Sequence, residues 1–170
     1  GDQAIYKTDI NGNMVWENNL HIHGFRGRSV EETNDGYLFC GSAYIGSGNF
    51  DIWVEKRDLS GNLAWHQSYG SNNSYPYNAE YGFSIKKTFD NGFIIAGFGT
   101  DYTSSLFSSI FLVRIDSAGN TLWTKTHEQD KWTFYQFEND MSVIETADSG
   151  FAIIAGIKDS VQSYLEEQSI

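Results

Sequence analysis

An all-β fold built from repeated four-stranded units is predicted by three observations. The first is a phrase of Asp, a turn ending in Gly-Asn, and a Trp, which occurs at Asp9-Ile-Asn-Gly12-Asn13-Met-Val-Trp16, at Asp58–Trp65 and at Asp116–Trp123. The second is an answering phrase in which Thr, Asp and Gly precede an apolar run, at Thr33–Gly41, Thr88–Gly97 and Thr146–Gly156. The third is spacing: the Trp residues stand 49 and 58 residues apart. Self-similarity at such a period marks a repeat architecture, in which each unit is one supersecondary element stacked on its neighbours.

Each repeat divides into four segments. Segment a ends in Thr, as in Ser29-Val-Glu-Glu-Thr33, Ser84–Thr88 and Ser142–Thr146. The turn after it is rich in Asp, Asn and Gly, residues that tolerate the positive φ of a tight hairpin. Segment b is the apolar run closing in Gly41, Gly97 or Gly156, and Cys40 stands where the other repeats have Ala96 and Ala155. Segment c precedes the repeated Asp, at 2–8, 51–57 and 109–115, and segment d carries the Trp. Segments b and c are nearly continuous apolar runs, the pattern of strands buried on both faces. Lys7, Lys56 and Arg114 share one site two residues before the Asp, so a structural ion pair at that hairpin is expected.

Sheets covered on both faces and stacked about an axis make a β-propeller of four-stranded antiparallel blades of about 50 residues. The chain divides into a half blade at 1–24 (segments c and d), blades at 25–78 and 79–138, and a half blade at 139–170 (segments a and b) with a tail. Three blade-equivalents are too few for a ring, since propellers use about 4–8. Two arrangements follow. Either two chains form a six-bladed homodimer, each completing the other's half blade, or the chain is a segment of a longer propeller. The Trp is expected to wedge neighbouring blades apart, its ring filling the space beside the segment b Gly of the next blade.

Composition narrows the function. A net charge of −11 argues against nucleic acid, whose phosphates need clustered Lys and Arg, and against anionic lipid. No apolar run is long enough to insert in a membrane. A lone cysteine, Cys40, forms no internal disulfide and reads as a small buried residue. Few Lys and Arg beside much Asn, Ser, Gly and Tyr suit an extracellular or cell-surface protein.

The phrase from Gly82 through Asp90-Asn-Gly92-Phe-Ile-Ile-Ala-Gly97, then Phe-Leu-Val-Arg-Ile-Asp116 and Gly119-Asn-Thr-Leu-Trp123, resembles the β-propeller repeat of secreted and cell-surface proteins of bacteria and archaea. The resemblance covers nearly all of 2–156. It implies an exported adhesion-type protein whose repeats are scaffold, and it brings no catalytic residues. The structural repeat residues are Asp9, Gly12, Trp16, Asp58, Gly61, Trp65, Asp116, Gly119 and Trp123.

Functional residues are sought where the repeats differ. From the Trp to the Ser opening segment a takes 13, 19 and 19 residues. The two longer loops are rich in aromatics: Tyr75, Tyr77 and Tyr81 in one, Trp132, Phe134 and Tyr135 in the other. Rings beside Asn, Asp and Glu suit stacking and hydrogen bonding to a glycan or a protein. The alternative is that the loops bury their own aromatics. His21 and His23 share one face of an extended segment, but no motif marks a third metal ligand, so a surface pair is expected and no metal or other cofactor. Phosphate loops, nucleophile elbows and metalloprotease signatures are absent, and no catalytic residue is assigned. Glu80, Glu128, Glu138 and Asp140 lie near the variable loops, and a pair of them would serve glycoside hydrolysis. The favoured expectation is thus a non-enzymatic scaffold or binding module, the alternative a carbohydrate-active enzyme with a carboxylate pair near the axis.

Overall fold

The computed structural model describes residues 3–46, 49–70, 79–101, 107–128 and 140–156. The chain is all-β: these residues form twelve strands and no helix. A first hairpin pairs β1 (Gln3–Thr8) with β2 (Met14–Leu20). An antiparallel meander follows, β3 (Arg26–Thr33), β4 (Gly36–Gly46), β5 (Asn49–Asp58) and β6 (Leu63–Tyr69). A second meander runs β7 (Ala79–Lys87), β8 (Phe93–Asp101), β9 (Phe107–Ile115) and β10 (Thr121–Glu128). The last hairpin is β11 (Met141–Glu145) with β12 (Phe151–Ala155). A single parallel pair, Phe50 with Ala79, joins the two meanders into one eight-stranded sheet. The described strands do not close into a ring.

Side-chain alternation explains how these sheets stack. In β4, Leu38 and Cys40 point one way and Phe39 and Ala43 the other. Leu38, Cys40, Ile52 and Val54 meet Ile85, Ile95, Phe111 and Val113 of the second meander in one cluster. On the opposite face, Phe39, Ala43 and Trp53 meet Ile5, Trp16 and Leu20 of the first hairpin. The second meander repeats the pattern: Ile94, Ala96, Phe98 and Leu112 meet Met141, Val143 and Ile153 of the last hairpin. Four layers result, and the two inner ones are covered on both faces. That is why segments b and c carry no polar alternation.

Strand register corrects one equivalence. Ser29 lies opposite Cys40, Ser84 opposite Ala96 and Ser142 opposite Ile154, so Ile154 and not Ala155 shares the Cys40 site. The apolar run after Gly150 is one residue longer than its counterpart after Gly92, which is how the sequence alignment slips. Cys40 is fully buried, and burial pushes its thiol up to about 12.

The segment b glycines also have a different partner from the one expected. A Cβ on Gly41 would run into the Arg26 carbonyl, and one on Gly97 into that of Tyr81. Both obstacles lie on the neighbouring strand of the same sheet, beside the register shifts at Gly27/Ser29 and Gly82/Ser84. These glycines therefore accommodate bulges, and the Trp rings dock elsewhere.

Candidate functional site

In an antiparallel meander, the first and third connections lie at one end and the second connection, with the link to the next layer, at the other. The repeated turns therefore gather at one end of the stack and the variable loops at the opposite end.

The turn end is built three times over by the same hydrogen bonds. Asp9 Oδ1 accepts from the backbone N–H of Asn11 and of Asn13, each at 2.8 Å, and its Oδ2 from the Asn13 amide at 2.9 Å. Asp58 does the same with Ser60 and Asn62, and Asp116 with Ala118 and Asn120. In each case the Asn side chain foremost, then its backbone N–H, holds the carboxyl below the ordinary range. Gly12, Gly61 and Gly119 sit at φ of 82°, 85° and 89°, in the left-handed region that a Cβ disfavours.

These glycines receive the Trp rings. A Cβ on Gly61 would lie 2.9 Å from Trp16 Cδ2, and one on Gly119 would lie 2.9 Å from Trp65 Cη2. The Trp16 indole N–H donates to the Leu59 carbonyl at 3.1 Å, and the Tyr69 hydroxyl to the Gly119 carbonyl at 2.7 Å. The expected Trp–glycine contact between layers thus involves the glycine of the Asp turn. Trp123 packs edge-on against Phe151, with ring centroids 5.8 Å apart.

The recurrent cation also reaches past the Asp expected for it. Lys56 lies opposite Leu38 in β4, and this places its ammonium beside the other hairpin, where it donates to Asp35 Oδ1 and Thr33 Oγ1, each at 2.6 Å. Arg114 pairs in the same way with Asp90. The Lys56 ammonium and the Thr33 hydroxyl hold the Asp35 carboxyl below its usual range.

The loop end carries different chemistry. Asp51 opens the buried part of β5, Glu80 follows the buried Ala79 at the start of β7, and both acids are buried. Burial first, then the neighbouring Glu80 charge, pushes the Asp51 carboxyl up to about 6. The carboxyl is seated against Gly70, where a Cβ would stand 2.6 Å from Oδ1. An aromatic row flanks it: Tyr81 stacks on Phe50 at 5.6 Å and 26°, and Phe50 and then His23 meet Tyr44 edge-on. The Arg26 guanidinium lies 6.0 Å from the centre of the Phe50 ring. Tyr81 therefore belongs to a wall of rings joining the two meanders.

Of the other sequence candidates, Tyr75, Tyr77, Trp132, Phe134, Tyr135 and Glu138 fall outside the described residues, as does the side chain of Glu128. Asp140 is exposed at the edge of a cleft of about 720 Å³ bounded by Arg28, Phe83, Met141 and Ser142. His21 and His23 are exposed around a turn, and no group of three metal-ligating side chains forms among the described residues. Asp51 escaped the sequence reading. Its signal was an acid placed directly before the apolar stretch Ile52-Trp53-Val54 of β5.

No protein-family model matches this chain, and no curated protein matches it either.

Proposed function

We propose that the chain is an exported, non-enzymatic β-propeller module that recognises a glycan or protein through the loops between its layers. Support for the propeller reading comes from the two four-stranded meanders, the complementary hairpins on either side, and the Trp-to-turn contact that recurs from layer to layer. The observation carrying the functional reading is the separation of the two ends. One end repeats the same turns and hydrogen bonds, which is scaffold chemistry. The other collects the long links from one layer to the next, which take 13, 19 and 19 residues from the Trp to the following Ser, together with the aromatic row and the buried acids, and binding residues concentrate on loops held by rigid elements.

The test is a glycan microarray probed with the labelled chain. Binding is expected to disappear in Tyr75→Ser/Tyr77→Ser or Trp132→Ser, while Asn11→Ser at the opposite end leaves it intact. Binding insensitive to both loops would overturn the assignment.

One observation favours the alternative, a carbohydrate-active enzyme: Asp51 and Glu80 are buried and electrostatically coupled, with one carboxyl kept protonated to higher pH. Release of reducing ends from a bound glycan, abolished by Asp51→Asn with binding retained, would establish that reading instead.

A further inference from the structure

The two outer hairpins are halves of one layer, and we propose that they complete each other across two copies of this chain. This inference rests on the propeller reading of the layers and is independent of what the loops bind.

In each meander the second strand pairs with the third in one register. Ile94 lies opposite Arg114, Ala96 opposite Leu112 and Gly97 opposite Phe111, just as Leu38, Cys40 and Gly41 lie opposite Lys56, Val54 and Trp53. Hairpin β11–β12 supplies the first two strands of such a unit and hairpin β1–β2 the last two. Among the described residues, the outer edges of β12 and β1 have no partner strand. In the common register, Ala152 of one copy faces Lys7 of the other, Ile154 faces Ile5, and Ala155 faces Ala4.

Three independent features match at this junction. The first is charge. Lys56 and Arg114 each pair with the Asp of the neighbouring hairpin turn, Asp35 and Asp90. The corresponding residues here are Lys7 and Asp148. Neither forms an ion pair among the described residues, and the register would bring them together between copies. The second is the Trp contact. Trp16 and Trp65 dock on the turns of Gly61 and Gly119, whereas around Gly12 nothing lies within 4 Å of where a Cβ would be. Trp123 of the other copy is the ring positioned to fill that place.

The third is the exposed apolar surface. Val30, Tyr6 and Ile154 are 54%, 61% and 72% exposed, while their counterparts Ile85, Val113 and Ala96 are completely buried against a neighbouring layer. Beside the free edge of β1 lies a groove of about 260 Å³, floored by Val30 and Phe39. It has the position and apolar lining needed to receive the partner's β12. Two such junctions related by a two-fold axis give six four-stranded layers, within the range in which propellers close.

The experiment is light scattering of the purified chain together with register-specific cross-linking. The expected mass is twice the 19.2 kDa of one chain. Under mild oxidation, Ala4→Cys/Ala155→Cys should form a disulfide-linked dimer, and the register-shifted pair Thr8→Cys/Ala155→Cys should not. Lys7→Glu, at a residue outside the folded core, should leave circular dichroism unchanged and weaken the dimer at least tenfold by setting two acids face to face. A monomer at all concentrations overturns the pairing, as does a dimer in which the register-matched pair fails to cross-link. A monomer that binds glycans through its loops would overturn the pairing alone. A register-matched dimer that binds nothing would overturn the loop reading alone.

Discussion

Substituting Gly119 by Ala tests the contact that spaces the layers. Two costs add. An Ala at φ of 89° carries left-handed strain of about 1–2 kcal/mol. Its methyl would also stand 2.9–3.2 Å from three atoms of the Trp65 ring, which must shift or push the layers apart, at about 1–3 kcal/mol. Trp65→Ala alone removes a half-buried ring and should cost about 2–4 kcal/mol. Once the ring is gone, Gly119→Ala should cost only the backbone strain. A double-mutant cycle should therefore return a coupling of about 1–3 kcal/mol, the double variant being more stable than the sum predicts. Urea melts followed by far-ultraviolet circular dichroism measure it without depending on Trp fluorescence. Additivity to within about 0.5 kcal/mol would refute the docking argument. The same cycle on Trp16 and Gly61 should show coupling of the same sign, with a larger residual cost in the double variant because a Cβ on Gly61 would also stand 2.7 Å from Asn18 Nδ2.

Three further outcomes are expected. Asp51→Asn should stabilise the chain by about 1–3 kcal/mol at pH 7.5 and hardly at all at pH 3.5. A carboxyl whose folded-state value is raised to about 6 costs stability as pH climbs from about 4 to 6, and parallel urea melts would show that loss in the parent chain alone. Asp58→Ala should lower the melting temperature at pH 7. Because the Asp58 carboxyl is held below its ordinary range, its contribution is present above about pH 4 and is lost as pH falls further, so the difference between the two melts should narrow below that pH. Finally, Cys40 should resist a thiol reagent such as dithionitrobenzoate in the native state and react at once in 6 M guanidinium. Rapid labelling of native protein would contradict its burial in the inter-layer cluster.

The layered all-β organisation was legible because each layer repeats its chemistry, so that strand boundaries could be read from Asp-Gly turns and apolar runs. Burial on both faces was legible for the same reason: no polar residue interrupts the run Phe93-Ile-Ile-Ala96, and every residue in it is buried. Which glycine meets the Trp was not legible. Two glycines per repeat offer space, and only the crossing of one sheet over the next selects Gly61 for Trp16 and Gly119 for Trp65. The Lys56 partner was missed through the same kind of gap. Sequence proximity favours Asp58, but cross-strand register turns the ammonium toward Asp35. Of the loop-end chemistry, Tyr81 and Glu80 were singled out by composition. Asp51 was not, since a strand-opening Asp has no distinguishing pattern until Gly70 and Glu80 are seen to close around it.

The layer-on-layer arrangement has a consequence for how this protein comes apart. Each sheet is held by its immediate neighbours, so opening an inner layer disrupts two interfaces and opening an outer hairpin only one. Amide hydrogens of β8 and β9 should then be the last to exchange with solvent, and those of β1 and β12 the first. Whatever seals the outer hairpins would convert a stack that frays from its ends into one with no end at which to begin.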